Sequence, residues 1–347
     1  MKKLSRRICQ VIGAAALSAL SAYSYAVDCP GPAPNDVFYH TSTGTPPITT
    51  TITVAVASNF RDAAIDLADR FVVGTSYKVN LCHNSSGSIA PSITGGNPYD
   101  VSLFLSADRG FADAIVTAGV NIGSPFLYAY GLPIWLLSPA AYTAASGDPY
   151  PAASYLNQNV VPGAPAQATS GHTITNDVTL KHSSGTPAVP TIAIGNVPNA
   201  PYGVAASLIL DDMNQWNGGN DRYNAGSNIG TSCATLIATF GTTNQWQCEY
   251  SNIDITLEAI QNNAVTGGVV GLSQVCLDPS TYPLGRYVRF PTYFTSQYGI
   301  LVNVTDSAEE AVAASLVSFM GTTSPNVVGP LGVSWNTFLT NYCYNTL

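Results

Sequence analysis

From residue 52 onward, short apolar runs of strand length alternate with segments whose apolar residues recur at helical spacing. Residues 52–57 predict a buried strand, and residues 59–73 predict a helix. The apolar face of that helix would consist of Phe60, Ala64, Leu67 and Phe71. The same alternation continues to residue 138 and resumes at residue 191. It predicts an α/β fold in which sheets are flanked by helices.

The composition supports a folded chain that does not bind nucleic acid. Charged residues make up 9% of the 347 residues and hydrophobic residues 46%, whereas disordered chains combine high charge with low hydrophobicity. The formal net charge is −8, and no cluster of Lys and Arg is present that could neutralise phosphates. We therefore expect no nucleic-acid partner.

The N-terminus has the pattern of a cleavable export signal. Four basic residues precede an apolar stretch over residues 8–20, and small residues occupy positions 24 and 26. The alternative, a membrane anchor, is disfavoured because the apolar stretch is shorter than the roughly 20 residues that a spanning helix needs. We predict a signal peptide over residues 1–26 and a periplasmic location. Removal of the four basic residues would change the net charge from −8 to −12.

Seven cysteines are present, and removal of Cys9 with the signal would leave six. An even number of cysteines in an exported chain favours disulfides over free thiols. Cys233 and Cys248 are the best candidates for one pair because they would close a short loop, while the other pairings stay open. No C-x-x-C spacing occurs and the four histidines are scattered, so we expect no metal site.

Three segments interrupt the alternation of strands and helices. Residues 27–50 are rich in Pro, Thr and Ser and predict an extended N-terminal segment. Residues 139–190 lose all periodicity, and residues 214–250 are rich in Asn, Gly and Thr, so both are interpreted as insertions. A near capping box predicts Ser251 as the N-cap of one helix, and a capping box with Glu310 predicts Ser307 as the N-cap of another.

Enzymatic motifs are absent from the sequence. It contains no G-x-S-x-G elbow, no phosphate-binding P-loop, no H-E-x-x-H and no G-x-G-x-x-G after a strand. The adjacent acidic residues 309 and 310 fall in the first turn of a predicted helix, where negative side chains interact favourably with the helix dipole. We therefore expect that the chain is not an enzyme and needs no cofactor.

Four predicted strand-to-helix junctions carry neutral hydrogen-bond donors and no Lys or Arg. They lie at residues 57–60, 84–87, 199–203 and 251–253. Open α/β sheets bind ligands at such junctions, and the backbone amides at a helix N-terminus favour anions. The alternative is that Ser and Asn at these positions are ordinary helix caps.

The residues at these junctions resemble the periplasmic molybdate-binding proteins of ABC transporters. The resemblance covers about residues 50–138 and 190–321. It is carried by residues 54–60, 85–87, 99–108, 194–196 with 200–203, 263–275 and 298–301.

The resemblance implies a two-lobed, type II periplasmic binding protein fold with the ligand cleft between the lobes. Each lobe would hold a mixed sheet flanked by helices. The first lobe would comprise residues 51–130 and 290–347, and the second residues 131–289 with the two insertions. A hinge of two strands would let the lobes close over the ligand.

The resemblance also implies a set of ligand donors. Ser58 or Asn59 would act at the first junction, Ser86 at the second and Tyr202 at the third, while Ile253 would donate its backbone N–H. Some family members use a tyrosine near position 271, where this chain has Gly271. Tyr202 would then be the only tyrosine donor.

Taken together, these features predict an exported solute-binding protein that captures molybdate or tungstate and delivers it to an ABC permease. We expect a monomer. Two alternatives stay open: a divergent binding protein for sulfate, phosphate or a small organic acid, and a surface interaction protein built on the same scaffold.

Overall fold

A computed structural model describes residues 37–41, 47–144, 191–212, 222–242 and 245–347 of the chain. The predicted signal peptide and most of the 139–190 segment lie outside these residues. In the part of the chain that the structure describes, no helix is both long and apolar enough to cross a membrane.

The described residues form twelve strands and nine helices. The strands are β1 (Val37–Thr41), β2 (Thr50–Ala57), β3 (Tyr77–Asn84), β4 (Val101–Ser106), β5 (Asn121–Gly131), β6 (Pro133–Leu137), β7 (Ile192–Gly195), β8 (Arg222–Gly226), β9 (Gln247–Tyr250), β10 (Gly267–Gly271), β11 (Tyr287–Arg289) and β12 (Thr295–Val302). The helices are α1 (Arg61–Val72), α2 (Ser86–Thr94), α3 (Arg109–Thr117), α4 (Pro139–Ala144), α5 (Pro201–Asp212), α6 (Cys233–Phe240), α7 (Ile253–Gln261), α8 (Ser307–Met320) and α9 (Trp335–Asn341).

The strands build two six-stranded mixed sheets, one in each lobe. The first sheet has the order β1-β3-β2-β4-β12-β5, and the second has the order β11-β6-β10-β7-β9-β8. β2 is parallel to both β3 and β4, and β7 is parallel to β9 and β10. The carboxyl ends of these parallel strands therefore lie at one edge of each sheet, where the following helices begin.

Apolar residues cover both faces of each sheet, as expected for parallel strands between helices. In the first lobe, α1, α8 and α9 pack on one face, while α2 and α3 pack on the other. The predicted stripe on α1 is confirmed, because Ala64, Leu67 and Phe71 are buried together with Phe60 in the preceding turn. In the second lobe, α6 and α7 cover one face and α5 the other.

The chain passes between the lobes at two places. At the first, β5 and β6 are nearly continuous in the chain and are divided only at Leu132. The division arises because β5 pairs with β12 in the first sheet, whereas β6 pairs with β10 in the second. The return passage runs from β11 to β12.

The described part of the 214–250 segment contributes two strands and a helix to the second lobe. β8 and β9 are strands of the second sheet, and α6 packs on its face. These strands are only five and four residues long, which explains why periodicity did not reveal them. A disulfide between Cys233 and Cys248 ties α6 to β9, with the Cα atoms 5.9 Å apart.

Candidate ligand-binding site between the lobes

The five residues predicted to bind ligand lie together around one small cavity between the lobes. Each belongs to a helix start that follows a strand: the 3₁₀ turn before α1, and the first residues of α2, α5 and α7. The complete described lining is Ala57, Ser58, Asn59, Ser85, Ser86, Ala107, Ala200, Pro201, Tyr202 and Ile253.

The cavity is small and its described lining carries no charged side chain. Its volume is about 10 Å³, close to the lower limit for one water molecule. A tetrahedral oxyanion is larger than water, so the lining must separate slightly to hold one. Among the described residues, no three His, Cys, Asp or Glu side chains are grouped to hold a metal ion.

Ser58 presents a buried hydroxyl to this cavity. The residue is 3% exposed, and its Oγ has no hydrogen-bond partner within the described structure. A buried hydroxyl without a partner costs free energy, because it has lost its hydrogen bonds to water. A ligand that accepts a hydrogen bond from Ser58 would remove that cost.

Ser86 is the first residue of α2 and is fully buried. Its Oγ accepts a hydrogen bond from the backbone N–H of Ala107, at 3.0 Å. A serine hydroxyl can accept and donate at the same time. The contact with Ala107 thus fixes the oxygen atom and leaves the hydroxyl proton for a further acceptor.

Tyr202 approaches the cavity from the second lobe with its ring fully buried. Burial raises the pKa of its hydroxyl well above the ordinary value, and hydrogen bonds with Thr295, Gln297 and Asn59 lower this pKa only in part. Tyr202 therefore stays protonated at neutral pH and can donate a hydrogen bond.

Gly271 leaves the space that the Tyr202 ring occupies. A Cβ atom at position 271 would lie 3.2 Å from Cζ of Tyr202. That separation is tighter than ordinary van der Waals contact, so a tyrosine at 271 would compete with Tyr202 for the same space. The absence of a tyrosine at 271 is therefore consistent with a donor at 202.

Asn59 is engaged by neighbours on two sides. Its Nδ2 donates to the hydroxyl of Tyr344 at 3.2 Å, and its backbone carbonyl accepts from Ser273 Oγ at 3.1 Å and from the Tyr344 hydroxyl. Of the two donors predicted at the first junction, Ser58 is the one whose side chain lacks a partner.

Ile253 is the first residue of α7, so its backbone N–H belongs to the first turn and has no acceptor inside the helix. The predicted N-cap at Ser251 is wrong, because the side chain of Asn252 accepts from Ile255 N at 3.0 Å. Asn252 Nδ2 also reaches Asn84 Oδ1 of the first lobe at 3.4 Å.

The lobes touch directly beside the cavity. Gly87 N, in α2, donates to the carbonyl of Asn199 at 2.8 Å. A Cβ atom at Gly87 would lie 2.6 Å from Cα of Asn199, so only glycine permits this approach. His83 Nδ1 and Asp254 Oδ2 form a further contact between the lobes at 3.1 Å.

Sequence reasoning assigned no role to Ala107, Ser273 or Tyr344, which support the site. Tyr344 lies 285 residues from Asn59 in the sequence, and Ser273 lies 214 residues away. No local pattern links such distant positions, so only the fold could reveal these contacts.

Comparisons with known proteins agree with this architecture. A family model described as bacterial extracellular solute-binding protein matches residues 52–325. The molybdate-binding protein ModA of Rhodobacter capsulatus is 36% identical over 91 residues, which are 26% of this chain and 35% of that protein. ModA of Azotobacter vinelandii is 29% identical over 161 residues, or 46% of this chain and 49% of that protein. The matches thus span between about a third and a half of these curated relatives.

A solved structure extends the similarity along the chain. The periplasmic molybdate-binding protein of Azotobacter vinelandii superposes with a TM-score of 0.54 at 19% sequence identity. The superposition covers 85% of this chain and 99% of that protein. At this identity, the similarity establishes a shared two-lobed fold.

Proposed function

Because the chain belongs to the bacterial extracellular solute-binding protein family, whose members are transport proteins and not enzymes, we propose that it captures a tetrahedral oxyanion between its lobes. Molybdate or tungstate is the proposed ligand. The donors are Ser58, with Asn59 beside it, Ser86, Tyr202 and the backbone N–H of Ile253.

The observation that carries this proposal is the unpartnered hydroxyl of Ser58 in a cavity surrounded by helix starts. Helix N-termini present free N–H groups and the positive end of the helix dipole. With no charged side chain in the described lining, the cavity offers a dianion several neutral donors in fixed positions.

Closure of the lobes makes neutral donors sufficient. Exclusion of water lowers the local dielectric constant, so each hydrogen bond to the anion becomes stronger. Tyr202 keeps its proton because burial raises its pKa, and it contributes a donor without adding charge.

The chemistry of the lining also favours some oxyanions over others. Hydrogen phosphate carries a proton that needs an acceptor, and the described lining has no carboxylate to accept it. Fully deprotonated dianions, such as molybdate, tungstate and sulfate, need donors only. Because the cavity is small, sulfate is the second candidate. Hydrogen bonding does not distinguish these dianions, so the fit between the size of the anion and the size of the cavity must decide among them.

The relatives that are called molybdate-binding proteins favour molybdate over sulfate. On this proposal, the signal at residues 1–26 exports the chain to the periplasm. The monomeric, ligand-loaded protein then delivers its anion to the membrane permease of an ABC transporter.

Thermal unfolding of the mature protein against molybdate, tungstate, sulfate, phosphate and nitrate tests the proposal. A ligand at 100 times its Kd stabilises the folded protein by about 2.7 kcal/mol, which raises the Tm by several degrees. We expect that rise with molybdate and tungstate. A rise in Tm with sulfate alone would identify sulfate as the ligand in place of molybdate or tungstate. No rise in Tm with any anion would refute oxyanion binding.

A further inference from the structure

The C-terminal segment, residues 342–347, follows α9 in the first lobe but is bonded covalently to the second. Cys343 forms a disulfide with Cys276, and their Cα atoms are 6.4 Å apart. Cys276 follows β10 and the short 3₁₀ turn Leu272–Gln274 of the second lobe. This disulfide therefore spans the two lobes, unlike the Cys233–Cys248 bond, which lies within the second lobe.

The same segment is held where the chain passes between the sheets. Asn345 N donates to the carbonyl of Tyr130 at 2.9 Å, next to the end of β5. Leu347 N donates to Asn336 Oδ1 at 2.9 Å, which returns the chain end to α9. The segment is thus fixed on the first lobe, on the connecting strand and on the second lobe.

Tyr344 extends from this segment to Asn59, which lines the ligand cavity. It is 4% exposed, and its ring centroid lies 5.2 Å from that of Phe60. Its hydroxyl donates to the backbone carbonyl of Asn59 and accepts from Asn59 Nδ2 at 3.2 Å. Tyr344 therefore holds both the backbone and the side chain of the residue that follows Ser58.

We infer that Tyr344 is a positioning residue for the ligand site and that the Cys276–Cys343 disulfide is its anchor across the lobes. The inference rests on the proposed function, since it assigns a role at the same site. Tyr344 does not line the cavity in the described structure; it acts by fixing the turn Ser58–Phe60. The disulfide limits how far the lobes separate on the side where the C-terminal segment crosses.

The physical reason lies in the turn that carries Ser58. A 3₁₀ turn of three residues has few internal hydrogen bonds, so its geometry depends on outside contacts. Tyr344 supplies two of these contacts and Ser273 a third. Without the Tyr344 hydroxyl, the turn would sample more positions and the Ser58 hydroxyl would meet the ligand less often in the binding geometry.

Paired variants separate positioning from general stability. Tyr344→Phe removes the hydroxyl at Asn59, and Tyr342→Phe removes a neighbouring tyrosine hydroxyl, which interacts with Asp66 on α1. Cys276→Ser/Cys343→Ser removes the bond across the lobes, and Cys233→Ser/Cys248→Ser removes the bond within the second lobe. Each variant is compared with the wild-type mature protein by titration calorimetry and stopped-flow dissociation of molybdate.

We expect Tyr344→Phe to weaken molybdate binding about tenfold through faster dissociation, because both hydrogen bonds between Tyr344 and Asn59 are lost and the turn is no longer fixed by them. Tyr342→Phe should leave both the Kd and the dissociation rate unchanged. Cys276→Ser/Cys343→Ser should also raise the Kd, whereas Cys233→Ser/Cys248→Ser should lower only the Tm. An unchanged dissociation rate in Tyr344→Phe would overturn the positioning role.

Small-angle X-ray scattering without ligand tests the anchor independently of the anion. The radius of gyration should increase in Cys276→Ser/Cys343→Ser and stay at the wild-type value in Cys233→Ser/Cys248→Ser. An unchanged radius in the first variant would overturn the anchor. If the wild type binds no anion, the proposed function fails and the positioning role fails with it, while the scattering result still decides the anchor.

Discussion

Among the proposed neutral donors, Ser58 is the one on which binding of the oxyanion depends most. Its hydroxyl is buried and has no partner in the described structure, so the unliganded protein bears a free-energy cost at this atom. A bound oxyanion would relieve that cost. The same hydroxyl would then contribute to affinity although it does not stabilise the empty protein.

Replacement of Ser58 by Ala tests this directly. Hydrogen bonds to charged groups contribute about 1.5–3 kcal/mol, so the Kd for molybdate should rise roughly 10- to 100-fold. The Tm of the unliganded protein should not fall, because no protein hydrogen bond is lost. Titration calorimetry and thermal unfolding measure the two quantities.

Ser102→Ala is the matched control for Ser58→Ala. Ser102 is also fully buried with an unpartnered Oγ, but it lies on β4, outside the cavity lining. Its replacement should leave the Kd unchanged. Equal losses of affinity in both variants would argue that Ser58 acts through packing and not through its hydroxyl.

Much of the candidate site could be predicted from sequence because its residues follow strands in short motifs. The family resemblance indicates Ser58, Ser86, Tyr202 and Ile253 at such helix starts, and the structure brings them around one cavity. Their roles in binding remain a prediction. The contact of Asn59 with Tyr344 could not be predicted, since a pairing across most of the chain leaves no local pattern.

Among the helices, α2 sets how closely the lobes approach. Its second residue, Gly87, meets the backbone of Asn199 in the second lobe. Gly87→Ala should therefore weaken molybdate binding about tenfold or more, because overpacking of this kind costs about 1–3 kcal/mol. When the lobes are apart, the alanine Cβ no longer clashes with Asn199, and alanine favours the helix more than glycine does. We expect the Tm without ligand to stay the same or to rise.

Gly230→Ala is the control for this substitution. A Cβ atom at Gly230 would meet nothing within 4 Å, so its Kd should equal that of the wild type. If Gly87→Ala bound molybdate as tightly as the wild type, the close approach at Asn199 would not be part of the liganded state.

Sequence patterns located most elements but not their exact starts. Apolar spacing found α1, whereas the predicted caps Ser251 and Ser307 were each wrong by one residue. The structure has Asn252 and Asp306 as caps, and Asp306 accepts from Ala308 N at 2.8 Å. In both cases an Asn or Asp adjacent to the serine competes for the cap, and propensity alone does not rank them.

For the whole molecule, three buried tyrosines around the site predict alkaline instability. Burial raises the pKa of Tyr128, Tyr202 and Tyr344 above the value of about 10 in an unfolded chain. Above pH 10 the unfolded chain therefore loses these protons first, and unfolding becomes easier as pH rises. Their contribution to stability is complete below pH 10 and is lost progressively above it.

Urea unfolding between pH 9 and pH 11.5 measures this effect. Each tyrosine should contribute a slope of up to about 1.4 kcal/mol per pH unit above pH 10. Tyr128→Phe removes one of the three titrating groups and should reduce the slope by that amount. The Tyr128 hydroxyl has no partner in the described structure, so the substitution breaks no hydrogen bond. An identical slope in this variant would contradict the assigned cause.

The net charge of the whole chain should make the capture of anions slower at low salt. Without the predicted signal peptide the formal charge is −12, so the mature chain repels a dianion at long range, and salt screens this repulsion. The association rate of molybdate should therefore rise severalfold between about 10 mM and about 150 mM NaCl. Stopped-flow mixing measures it, and a rate that falls with salt would show that local attraction from the helix N-termini dominates.

Crystallography of the mature protein with tungstate tests the central claim most directly, because tungsten has a strong anomalous signal. We predict one anomalous peak between the lobes, with oxygen atoms within hydrogen-bond distance of Ser58 Oγ, Ser86 Oγ, the Tyr202 hydroxyl and Ile253 N. A peak elsewhere, or none in this cavity at saturating tungstate, would contradict the account.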